Sequence, residues 1–70
     1  MADVPAHITG TVWKIECKVG QTVASGDTLV ILESMKMEIP VIAEESGTVT
    51  ELRVGEGDVV QEGDVIAVIG

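Results

Sequence analysis

Slid along itself by 37 residues, this 70-residue chain matches itself without a gap. Gly10-Thr11-Val12 falls on Gly47-Thr48-Val49, Gly20 on Gly57, Val23 on Val60, and Gly26-Asp27 on Gly63-Asp64. Ile15 and Leu52, Leu29 and Ile66, Ile31 and Val68, and Leu32 and Ile69 agree in kind. Toward the N-terminus the match weakens, though Val4/Val41 and Ala6/Ala43 still pair. The copies are residues 1–33 and 38–70, and Ser34-Met35-Lys36-Met37 is left over between them. Such a repeat restricts the fold, because one short unit cannot bury its own apolar face without its mate.

Each copy reads as β-structure. From Trp13 to Val19 apolar residues alternate with charged ones, the period of a strand with one buried face. That alternation places Trp13, Ile15 and Cys17 inward, and Lys14 and Lys18 mid-strand on the outer face. In the second copy it turns Leu52 and Val54 inward and Glu51 and Arg53 outward. Thr28–Leu32, Ile39–Ala43 and Val65–Ile69 are short apolar runs rich in Val and Ile, which suit sheet-core strands better than helices. Glycines at 10, 20, 26, 47, 55, 57 and 63 fall between the runs, where turns call for positive φ. The expectation is an all-β sandwich or flattened barrel in which both copies contribute to both sheets about a pseudo-two-fold axis. By that symmetry Ser34–Met37 becomes an isolated hairpin tip, pseudo-equivalent to the chain termini and free of them.

Twelve acids against four bases give a formal net charge of −8, which argues against nucleic acid and against an anionic membrane surface. The apolar runs are far shorter than the ~20 residues a bilayer-spanning helix needs. The first residues, Met-Ala-Asp-Val-Pro, show neither a basic segment nor a long apolar one, so a cytoplasmic location is expected. A lone Cys17 forms no intrachain disulfide, and with His7 as the single histidine no structural zinc site is expected. Cys17 reads as a small core hydrophobe and Trp13 as a core anchor. His7 gets no role. The small chain offers no catalytic constellation, so an enzyme acting alone is not expected.

The tip stands out. Gly, Asn, Asp and Pro usually occupy tight turns, yet here two thioethers flank a lysine. Places where local rules fail often mark function. The lysine amine is a compact nucleophile on a flexible stem and a frequent target of modification. Lys36 is therefore the candidate point of covalent attachment, with Met35 and Met37 as recognition determinants. Glu33 and Glu38 read as solvated strand ends.

The run Leu32-Glu33-Ser34-Met35-Lys36-Met37-Glu38, together with the repeated Gly20–Asp27 and Gly57–Asp64 patterns, resembles the biotinyl domains of the biotin carboxyl carrier family, within the biotin/lipoyl-attachment superfamily. The resemblance covers nearly the whole chain. It implies a barrel-sandwich hybrid of two four-stranded antiparallel sheets, with biotin joined by an amide to Lys36 by a biotin protein ligase. Further implied partners are a biotin carboxylase and a carboxyltransferase acting on an acyl-CoA or similar acceptor, served by a swinging arm that is not catalytic alone. Ser34 stands where the family more often has Ala. The Gly20–Gly26 and Gly57–Gly63 segments are equally long, so the inserted thumb loop of some bacterial relatives is absent.

Two other functions fit the same fold. One is a lipoyl carrier for a 2-oxoacid dehydrogenase or the glycine cleavage system, although lipoyl domains typically show Asp-Lys-Ala where this chain has Met35-Lys36-Met37. The other is an unmodified docking module.

Overall fold

The computed structural model describes residues 2–70. Its strands are β1 (Ala2–Pro5), β2 (Gly10–Ile15), β3 (Thr22–Val23), β4 (Thr28–Ser34), β5 (Met37–Ile42), β6 (Gly47–Leu52), β7 (Val59–Val60) and β8 (Val65–Ile69). No helix occurs among the described residues. The strands pair antiparallel in two four-stranded sheets, ordered β1-β8-β6-β3 and β5-β4-β2-β7. Advancing every residue by 37 carries β1 to β5, β2 to β6, β3 to β7 and β4 to β8. It thereby turns one sheet's strand order into the other's. Each repeat contributes two strands to each sheet, so neither sheet forms from one copy alone.

The turns obey the same symmetry. Lys18–Gln21, Ala24–Asp27, Gly55–Asp58 and Gln61–Asp64 each close with a bond from the fourth residue's N–H to the first residue's carbonyl, at 2.9–3.1 Å. Their third residues, Gly20, Gly26, Gly57 and Gly63, have φ of 93–94°, the conformation a type II turn demands there. In each, the fourth side chain (Gln21, Asp27, Asp58 or Asp64) accepts a bond from the first residue's N–H. Gly10 and Gly47 have a different reason to be glycine. They open β2 and β6, and a Cβ would lie 2.8 Å from the Glu33 carbonyl oxygen at Gly10 and 2.6 Å from Ile69 Cγ2 at Gly47. Close approach, not positive φ, excludes a side chain there.

The sheets enclose a core in which Leu29, Leu32, Ile66, Val12, Val30 and Val49 are fully buried. Ile15, Leu52 and Val54 pack against it as the alternation predicts. Cys17 is buried as well, and removal from water pushes its thiol pKa up, so it stays a neutral apolar filler. Pro5 and Pro40 sit in the edge strands β1 and β5, where a missing N–H is tolerated.

Three expectations are corrected. Trp13 is no core anchor: it is 49 % exposed and stands outside the core cluster. The cause is a bulge, since Val12 pairs with Leu32 and Lys14 with Ile31, leaving Trp13 as the extra residue. Its repeat mate Thr50 occupies the matching bulge between Val49 and Glu51. Secondly, β2 ends at Ile15, so Lys18 begins a turn and does not lie mid-strand. Thirdly, Ile31 is only half-buried and lies outside the core cluster, on the face opposite Leu32.

Candidate functional site

The β4–β5 hairpin is the longest ladder in the molecule, running from Thr28 opposite Ile42 to Ser34 opposite Met37. Buried Leu32 faces half-buried Ile39, and buried Val30 faces buried Val41, so one side of the hairpin is fastened to the core. Beyond Leu32 the chain leaves the core, and Glu33 and Glu38 oppose each other with both side chains exposed. Ser34 and Met37 form the closing pair, leaving a loop of two residues.

Those two are Met35 and Lys36, with φ of 53° and 64°. They are the only non-glycine residues with positive φ among those described. Positive φ at both central positions makes this a type I′ turn, whose twist matches the flanking strands and which Asn-Gly favours. For residues with a Cβ that conformation costs roughly 1 kcal/mol or more each. Elsewhere this chain meets every positive φ with glycine. Here it places a methionine and a lysine instead, and such strain gathers where function demands a particular side chain.

The side chains project. Met35 is 90 % exposed and Met37 58 %, so neither fills the core. Lys36 is exposed and joins none of the ion pairs among the described residues, whereas Lys14 pairs with Glu16 at 3.6 Å and Arg53 with Glu51 at 3.0 Å. The structure thus brings all three predicted residues to one protrusion, with Met35 and Lys36 in the turn and Met37 in the strand. The face-to-face pairing of Glu33 and Glu38 is a feature that sequence reading missed, since it depends on the hairpin register. The larger concavity, about 560 Å³, is an open groove beside β7 between Arg53 and Asp64 and includes no tip residue. The tip is therefore a protrusion and not a cavity, and it carries an exposed primary amine on a two-residue turn.

A family model described as "Biotin-requiring enzyme", covering biotin and lipoyl domains, matches residues 1–69. The chain belongs to this biotin/lipoyl family. Within it, the chain is 48 % identical over 63 residues to the biotin/lipoyl attachment protein of Bacillus subtilis, covering 90 % of this chain and 86 % of that one. It is 51 % identical over 67 residues to the biotinylated protein TB7.3 homolog of Mycobacterium leprae, covering 96 % and 94 %. Among solved structures, Kluyveromyces lactis urea carboxylase matches with a TM-score of 0.94 at 39 % identity, over 99 % of this chain and only 6 % of that one. Biotin/lipoyl relatives of similar length are thus named for what is attached to them, and the chain is a carrier domain, not a catalyst by itself.

Proposed function

We propose that this chain is a biotin carboxyl carrier whose Lys36 is biotinylated. Its role is to carry a carboxyl group from a biotin carboxylase to a carboxyltransferase acting on an acyl-CoA or similar acceptor. The observation that supports this most directly is the strained type I′ tip, which presents an exposed lysine where turn chemistry favours glycine. An amine so placed meets the steric demand of a ligase, which must close around the lysine from several sides. In the attachment step, Lys36 Nζ attacks the carboxyl carbon of biotin, which the ligase has activated with ATP. The amine loses a proton, the leaving group departs with a carboxyl oxygen, and an amide remains. Biotin supplies a group that takes up and releases a carboxyl unit.

The chain's own residues supply position. Met35 and Met37 offer the ligase apolar contacts on either side of the lysine. The ladder below them holds the amine clear of the barrel. Tethering then makes delivery effectively intramolecular, raising local concentration at each partner. The equal lengths of the Gly20–Gly26 and Gly57–Gly63 segments support a carrier of the thumbless kind.

Lipoate on the same lysine is the second reading, favoured by the biotin/lipoyl name of the Bacillus subtilis relative. Incubation with purified biotin protein ligase, biotin and ATP, followed by intact-mass measurement, tests the first. One biotinyl increment is expected on the wild type and none on Lys36→Arg. Labelling of Lys36→Arg overturns the site assignment, and an unlabelled wild type overturns the biotin reading.

A further inference from the structure

The pseudo-two-fold axis makes the two outer faces directly comparable, position by position, and they differ in chemistry. In the sheet carrying the tip, Pro40, Ile31 and Lys14 lie side by side across β5, β4 and β2. Their repeat mates across β1, β8 and β6 are Asp3, Val68 and Glu51. Trp13 in the β2 bulge answers to Thr50, and Val59 on β7 to Thr22. Three pairs change character, with the apolar member on the tip-bearing sheet: Pro40 for Asp3, Trp13 for Thr50 and Val59 for Thr22, whereas Ile31 and Val68 are both apolar and Ile42 answers to Pro5. Trp13, Val59 and Ile42 are exposed by 49, 72 and 44 %. None of them packs against the core. The barrel does not need Trp13 and Val59, because the other sheet fills those two positions with threonine.

The patch has an acidic rim. Glu33 and Glu38 bound it on the tip side, Glu16 offsets Lys14, and the Glu56 carboxylate accepts a bond from Ile15 N at the far end of β2. We propose that the outer face of the tip-bearing sheet, centred on Trp13, Ile31 and Val59, is the surface on which the carboxylating enzyme docks. An apolar face with an acidic rim is complementary to an apolar groove ringed by Lys and Arg, residues that an enzyme binding ATP and bicarbonate needs for phosphate and carboxylate recognition. The assignment rests on the proposed carrier function. A second copy of this chain is the poorer occupant, because it would set carboxylates against carboxylates in chains of net charge −8. Position supports it too: Ile31 lies three residues, about 10 Å of strand, below Ser34, so a partner on this face meets the tip in a fixed orientation.

The test uses the Lys36→Arg chain, which never carries biotin and so reads docking apart from attachment. Trp13 is the single tryptophan, and incorporating 5-fluorotryptophan places one ¹⁹F resonance at the centre of the patch. Titration with purified biotin carboxylase from the same organism should shift or broaden that resonance saturably. In sedimentation or calorimetry, the unlabelled Trp13→Thr/Val59→Thr variant should bind at least ten-fold more weakly, and Thr22→Ala or Thr50→Ala on the opposite sheet should bind as before. Circular dichroism checks the fold of the double variant, whose threonines copy those already present at Thr50 and Thr22. An unmoved resonance overturns the proposal, as does equal binding by the double variant. A resonance that moves with the chain's own concentration, alongside a dimer in sedimentation, gives the face to a second copy and also overturns it. Failure of the carrier reading appears separately, as absence of the biotinyl mass on the wild type.

Discussion

At the scale of the residue, the tip is a compromise between backbone and chemistry. Met35 and Lys36 both sit at positive φ without being glycine. Replacing them together, Met35→Asn with Lys36→Gly, installs the pair that a type I′ turn prefers. Thermal unfolding should then rise: relief of even 1 kcal/mol raises the midpoint by roughly 4–8 °C in a domain of this size. An unchanged midpoint would mean that the turn holds no strain. The flanking methionines are read differently. Both carrier types share a barrel, so a ligase must discriminate largely at the tip, and specificity of that kind is a difference of affinities. Met35→Asp with Met37→Ala should depress biotinylation strongly, permit lipoylation and leave circular dichroism unaltered, while Met35→Leu should be far milder. Biotinylation of the double variant at the wild-type rate would show that the barrel surface decides the cofactor.

At the scale of the element, adjacent residues of β4 separate core from surface. Leu32 is fully buried opposite Ile39, whereas Ile31 looks outward beside Pro40 and Lys14. Leu32→Ala should lose about 2–5 kcal/mol in urea unfolding, and Ile31→Ala no more than about 1 kcal/mol. The first is a large share of the stability of any small domain, and equal losses would put Ile31 in the core. This pair also shows what was legible beforehand. The strands β4, β5 and β8, and parts of β2 and β6, could be read because period-two alternation and β-branched runs are local, whereas the two-residue β3 and β7 are too short to show either pattern. The two bulges could not, since an extra residue is defined only against the partner strand's register. That is why alternation alone placed Trp13 inward. The tip lysine was legible because it breaks the repeat. Its backbone conformation was not, because Met-Lys gives no turn signal, and neither was the pairing of Glu33 with Glu38, which follows from that turn being only two residues long.

At the scale of the molecule, the duplication divides labour between copies of one design. The core is shared, and the differences collect at the hairpin tip and on the outer faces, where substitution leaves packing intact. This separation predicts how the barrel responds to its own modification. Amide formation at Lys36 removes one of four basic groups from a chain of formal net charge −8, at a site beyond the last core-facing pair of the hairpin, buried Leu32 with half-buried Ile39. No core contact changes, so no apolar area is gained or lost between the sheets. What changes is the balance of charge around the exposed Glu33 and Glu38, and interactions between exposed charges amount to about 0–1 kcal/mol and fade with salt. Apo and biotinylated chains should therefore melt within a few degrees of each other at low salt, and the gap should close as salt is raised. Calorimetry on the two forms, with Leu32→Ala alongside, measures this directly. A salt-insensitive shift as large as the one Leu32→Ala produces would mean that the arm folds back and packs on the barrel, and that the tip is not the independent element its register implies.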